Sequence, residues 1–209
     1  MQKTQDTLIS VISFCFLISG TCALIYQIAW QRILFASFGA DLESMTVIIA
    51  AFMLGLGGGA LAGGWLADRY PSHTLAFFAL TEGGVGAFGC ISPDLLRWAG
   101  DMTIHAPLSI IASVNFALVL FPTLLMGATL PILVADLARR WTNIGKATGT
   151  LYASNTLGAT FGALLLGYIL FEWVTLDAAI YLAAIGNLSV AAGVFALLFK
   201  YTKRDAIES

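Results

Sequence analysis

An all-α integral membrane bundle is the fold class this sequence predicts, on three observations. The chain is 59% hydrophobic and 11% charged, with a mean hydropathy of +0.88, outside the range of soluble domains. Six apolar stretches, at about 8–31, 44–66, 75–93, 108–135, 147–171 and 178–199, each approach or exceed the ~20 residues that cross a ~30 Å hydrocarbon core. Within them a single side chain bears a charge, Glu82. What lies between the stretches is too short to fold a second core, so residues 1–209 read as one membrane domain in contact with the lipid bilayer. The net charge of −2 carries no basic patch, which excludes a nucleic-acid partner.

Orientation follows from the cations, because cationic loops resist translocation. With six alternating spans, Lys3, Arg69, Arg139, Arg140, Lys146, Lys200, Lys203 and Arg204 share one side, and Arg32 and Arg97 lie opposite. Both termini are therefore expected in the cytoplasm of a bacterial inner membrane, with outer loops near 32–43, 94–107 and 172–177. The first stretch has no small-residue cleavage site and runs straight into Tyr26, Gln27 and Trp30, as a retained signal anchor does. Tyr26 and Trp30 are placed at the outer interface, where such rings commonly anchor. Gln27 is not explained by an anchor and joins the candidates for a polar lining. Arg32 is expected to pair with Asp41 or Glu43 as an outer latch.

The second stretch is rich in glycine and leads into Gly64, Trp65, Leu66, Ala67, Asp68 and Arg69. This hexapeptide resembles the G-x-L-A-D-R signature in the cytoplasmic loop between the second and third helices of major facilitator transporters. The resemblance implies that Asp68 and Arg69 help hold a two-state inner gate. In the third stretch, Glu82 falls ~12 Å from the cytoplasmic end at ~1.5 Å per residue. A carboxylate there costs at least ~2.5–3.5 kcal/mol on insertion scales, so it must face the bundle interior and either pair or stay protonated. Gly83, Gly84 and Gly86 leave room beside it, and no cation within any stretch offers a permanent partner. A cationic substrate, a proton, a cation from a second subunit or a hydrogen-bonding amide are the alternatives.

Pro122 and Pro131 are expected to interrupt the fourth stretch and free backbone carbonyls at membrane depth. In the fifth, Tyr152, Asn155 and Thr156 place polar groups within about one turn, and in the sixth stands Asn187. Asn115, Asn155 and Asn187 are the amides that a buried carboxyl could meet. Cys15, Cys22 and Cys90 all fall within apolar stretches without any CxxC, so packing is their expected role. His73 and His105 sit at span ends, which leaves no imidazole set for a haem or a metal, and no cofactor is expected.

A shift of 103 positions brings Gly55, Gly59, Ala60, Leu61 and Gly64 onto Gly158, Gly162, Ala163, Leu164 and Gly167. The chain then reads as two three-helix copies, about 8–93 and 108–199. An odd number of crossings per copy makes the second run in the opposite sense, the inverted repeat of many secondary transporters. The glycine spacing lets helix backbones approach closely.

Read in order, SGxxALxYQxxWxR from Ser19 to Arg32, FMLGLGGGALAGGWLADR from Phe52 to Arg69, LTEGGVG from Leu80 to Gly86, MGATLPIL from Met126 to Leu133 and GTLYASNTLGATFGALLLGYIL from Gly149 to Leu170 make a closer resemblance. Together with Asn187-Leu188 they are similar to the membrane region of bacterial fused membrane/spermidine synthase-like proteins. The resemblance covers about residues 10–199. It implies a six-helix bundle like one half of a major facilitator transporter, and a link to polyamines or other small amines. In that family a cytoplasmic aminopropyltransferase-like domain follows the last span. Here no G-x-G-x-G turn and no acidic pair for such chemistry follow residue 200, so no enzyme activity is expected.

Two functions are compatible with these features. One is a small transporter for a polyamine or similar organic cation, working as a homodimer or with a membrane-protein partner. Glu82 would be its mid-membrane anion, Tyr152, Asn155, Asn187 and Gln27 its polar lining, and Asp68, Arg69 and Arg32 its gates. The other is a non-transporting membrane scaffold that anchors a partner enzyme.

Overall fold

The computed structural model describes the backbone of residues 2–38, 42–140 and 144–208, and the side chains of 9–36, 45–139, 144–168 and 172–199. All its regular structure is helical. The long helices are α1 (Gln2–Phe38), α2 (Leu42–Arg69), α3 (Thr74–Thr103), α4 (Leu108–Arg140), α5 (Ile144–Leu164) and α6 (Leu176–Glu208). A 3-10 turn, Pro71–His73, joins α2 to α3, and α5 runs on through a π-helical stretch, Leu165–Leu170, and a last helical turn, Phe171–Trp173.

Among the described residues, five helices are long and apolar enough to cross a membrane: Ile9–Ala36, Met45–Arg69, Pro71–Thr103, Leu108–Arg139 and Leu176–Phe199. The chain is thus a multi-pass membrane protein. Its outward face agrees, since Leu61, Trp65, Phe161 and Tyr168 present large apolar surfaces that only lipid or another membrane helix would cover. The fifth apolar stretch differs from the other five. It changes from α- to π-helix at Leu165, and its first half carries Thr148, Thr150, Ser154 and Asn155.

The helices outrun their apolar stretches. Residues 94–103, expected in a loop, continue α3 beyond Pro93. Proline has no N–H to offer the carbonyl four residues back, Gly89. The Ser92 hydroxyl donates to that carbonyl instead, at 3.1 Å, which lets the helix run on. Pro122 and Pro131 likewise lie inside a continuous α4, so the expected interruption does not occur.

Three helix pairings organise the bundle: α2 against α4, α1 against α5, and α3 against α6. Close approach in the first two depends on glycine. A Cβ on Gly59 would collide with the Leu124 carbonyl, and one on Gly162 with the Thr21 carbonyl. Leu124 and Thr21 are themselves related by the 103-position shift that relates the two glycines. The Thr21 hydroxyl also donates across its seam to the Gly158 carbonyl at 3.0 Å. Of the glycines matched by the repeat, Gly55, Gly59, Gly158 and Gly162 are thus used in seams inside the chain, while a Cβ on Gly167 would meet nothing.

The core divides into two apolar clusters. One holds Tyr26, Trp30, Phe52, Phe88, Leu96 and Ile180, the other Phe16, Phe78, Leu133, Leu137, Leu151 and Val190. Tyr26 and Trp30 are fully buried, which corrects their placement as interfacial anchors. Their rings stack at 4.8 Å, Phe88 meets Trp30 edge-on at 5.4 Å, and the indole N–H donates to Ser92 Oγ at 2.8 Å. An aromatic belt needs rings that face lipid headgroups. Here α3 supplies a small-residue groove that takes them in, with Gly89 directly against the Tyr26 hydroxyl.

Candidate functional site

Between the two clusters the bundle turns polar. On α1, Ser19 separates Phe16 from Cys22; on α3, Glu82 separates Ala79 from Val85; on α6, Asn187 separates Ala183 from Val190. These three side chains form one cluster. Ser19 Oγ donates to Glu82 Oε1 at 2.6 Å, and Asn187 Nδ2 donates to Glu82 Oε2 at 2.6 Å. Glu82 is 1% exposed and Asn187 2%. Two hydrogen bonds to a carboxyl offset part of its desolvation, yet both donors are neutral. Asn187 Oδ1 is left buried and without a hydrogen-bond partner.

The cluster forms one wall of a cavity of about 500 Å³. Tyr152 and Asn155 of α5 line the cavity too, with Thr129 and Pro131 of α4. Pro131 deprives the Gly127 carbonyl of its helical donor, and Gly127 is also part of the wall. Asn155 is seated against Gly20 of α1, where a Cβ would strike its backbone carbonyl. Tyr152 is largely exposed, so it stands where the cavity opens. Most of the remaining wall is hydrocarbon, from Phe16, Leu56, Val85, Met126, Leu130 and Val134. The arrangement can hold a positively charged or hydrogen-donating group against Glu82 and an apolar body beside it.

Of the residues singled out from sequence, Glu82, Asn187, Tyr152 and Asn155 come together here. Gln27 is half-buried on α1 and is not among the described residues that line the cavity. Asp68 and Arg69 are exposed at the end of α2, and Arg32 is exposed near the end of α1, all three away from the cavity wall. The outer latch from Arg32 involves Asp41 and the side chain of Glu43, which lie outside the described residues. Asn115 is 1% exposed, and neither its Oδ1 nor its Nδ2 has a hydrogen-bond partner. It does not meet Glu82.

Three features went unread in the sequence. Ser19 is one, although a hydroxyl in mid-span is itself a hydrogen-bonding signal. Asp136, just past the fourth apolar stretch, is 3% exposed and accepts from Thr74 Oγ1 at 2.7 Å. Beside it Arg139 donates to the Pro71 carbonyl at 2.9 Å and to Thr74 Oγ1 at 3.1 Å, so the end of α4 clamps the turn between α2 and α3. At the other end of α3, Arg97 forms a two-pronged pair with Asp177 of α6, at 2.5 and 2.8 Å.

The family model described as Major Facilitator Superfamily matches residues 11–208. Among curated proteins, the chain is similar to those named "Polyamine aminopropyltransferase" in Mycobacterium tuberculosis, strains CDC 1551 / Oshkosh and ATCC 25618 / H37Rv, and in Mycobacterium bovis, strain ATCC BAA-935 / AF2122/97. Identity to each is 25% over 204 residues, covering 95% of this chain and 37% of the relative. The chain thus spans well under half the length of the curated relatives it matches. No solved structure matches it. The resemblance read from the motifs, to the membrane region of spermidine synthase-like proteins and to major facilitators, agrees with both findings.

Proposed function

The chain belongs to the Major Facilitator Superfamily, and from that premise we propose a transporter-like membrane protein that takes a polyamine or another small organic cation at Glu82. One observation carries this: a fully buried carboxyl at mid-bundle, hydrogen-bonded among the described residues by the neutral donors Ser19 and Asn187, forms part of the wall of a cavity of about 500 Å³. Cavities of several hundred Å³ suit small-molecule ligands. A buried carboxyl without a cation is an incomplete electrostatic arrangement, which a cationic substrate would complete. Tyr152 and Asn155 extend the polar wall toward the mouth.

The protein crosses the membrane six times as two inverted three-helix repeats, about 8–93 and 108–199. The mirrored glycine seams support this, α2 on α4 answering α5 on α1 with Leu124 in the role of Thr21. Both termini face the cytoplasm of a bacterial inner membrane, following the one-sided cations. A second copy of the chain, or another membrane protein, closes the open side of the cavity at Tyr152, as the second half does in a full transporter of this architecture. Asp68 and Arg69 act at the inner gate and Arg32 at the outer one. Reconstitution into proteoliposomes tests the proposal: spermidine, putrescine or another organic cation accumulates with the wild type and not with Glu82→Gln. Equal uptake by both forms would overturn the role of Glu82.

A second reading rests on the relatives' printed name, polyamine aminopropyltransferase, combined with a match to only 37% of their length. In it the bundle anchors or recruits an enzyme of amine metabolism and moves nothing. This reading is tested at Arg140 and Lys146, in the charged segment where α4 gives way to α5. A co-purifying complex that survives Glu82→Gln and dissociates when Arg140 and Lys146 are replaced would favour it.

A further inference from the structure

We propose that the cavity at Glu82 is built for a single primary ammonium group on an otherwise apolar molecule, and that it discriminates against the multiply charged polyamines. The proposal rests on the organic-cation reading above and narrows it to lipophilic primary monoamines.

Charge comes first. Glu82 is the only acidic side chain among the described residues that line the cavity. One carboxylate compensates one cation. A second ammonium on the same ligand would find no second carboxylate there, only the neutral Thr129, Tyr152 and Asn155 and the hydrocarbon of Phe16, Leu56, Val85, Met126, Leu130 and Val134. A charge placed in hydrocarbon at this depth without a partner weakens binding about a hundredfold.

The acceptors can also be counted. Each carboxylate oxygen of Glu82 takes one donor, from Ser19 and from Asn187, and keeps room for another. Asn187 Oδ1, buried beside them, has no partner. That leaves three acceptor positions on two adjoining side chains, and a primary ammonium has three N–H donors. A quaternary ammonium has none and would leave the amide oxygen as it stands, unsatisfied in an apolar setting. The polar head and the oily wall thus select the same ligand from two sides: N–H donors at one end, hydrocarbon or an aromatic ring at the other.

Equilibrium binding to the purified protein in lipid nanodiscs tests this, with phenethylamine as the labelled probe and spermidine and tetraethylammonium as competitors. On the wild type alone, so that no variant need fold, phenethylamine should bind saturably, spermidine about a hundredfold more weakly and tetraethylammonium at least about tenfold more weakly. Glu82→Gln should abolish probe binding, and Asn187→Ala should weaken it about tenfold, each with an unchanged size-exclusion profile. Spermidine binding as tightly as phenethylamine, and dependent on Glu82, would overturn the monoamine selectivity and leave the organic-cation reading standing. Failure of every amine to bind in a Glu82-dependent way would overturn both.

Discussion

Two links tie α3 to α6, Glu82 to Asn187 in mid-bundle and Arg97 to Asp177 near the end of both helices. The end link is a full ion pair with both prongs made, and its side chains are 47% and 33% exposed. The middle link is buried and joins a carboxyl to a neutral amide. Energetic need would place the ion pair where water is scarce, and the molecule does the reverse. Where solvent already compensates charge, the chain supplies a counter-ion that adds little. Where solvent is excluded, the described residues supply neutral hydrogen-bond donors and no cation. The difference is what a binding site requires, because a permanent internal cation at Glu82 would compete with any cationic ligand.

Substitutions at the two links should separate along this line. The largest effect on stability is expected from Glu82→Ala, which leaves Ser19 Oγ and Asn187 Nδ2 buried without an acceptor. Unfolding in mixed micelles should show a loss of about 1–3 kcal/mol. Asn187→Leu removes one of two donors from the carboxyl, and the same titration should register roughly 0.6–1.7 kcal/mol, the range of hydrogen bonds between membrane helices. Arg97→Ala should cost about 0–1 kcal/mol and lose even that difference as salt is raised, since half-exposed pairs are screened. A salt-insensitive loss at Arg97 larger than that at Glu82 would mean that the end pair holds the helices together and that the middle pair is dispensable.

Much of this contrast was legible in the sequence, and the reasons for the gaps are physical. Glu82 stood out because a lone charge in an apolar stretch has few explanations. Asn187 was one of three amides that a buried carboxyl could meet, and the structure brings the two within 2.6 Å. Arg97 and Asp177 fell outside the apolar stretches, where a charge is unremarkable and its partner cannot be read from periodicity. Tyr26 and Trp30 were misplaced because a ring near a span end looks the same in sequence whether it faces lipid or a neighbouring helix. The deciding feature lay on another helix, in Gly89 and Ser92 of α3. The prolines of α4 were read as breaks from their missing donors alone. Yet both lie inside one continuous α4, which tolerates the two missing N–H donors without breaking.

The measurement that bears most directly on the account is a calorimetric titration of one organic monoamine into three preparations, wild type, Glu82→Gln and Arg97→Ala. If the buried carboxyl is kept free of an internal cation for a ligand's sake, Arg97→Ala binds as the wild type does and Glu82→Gln loses at least about tenfold in affinity. Equal affinity in wild type and Glu82→Gln would contradict the account and leave Glu82 as a structural hydrogen-bonding group between α1, α3 and α6.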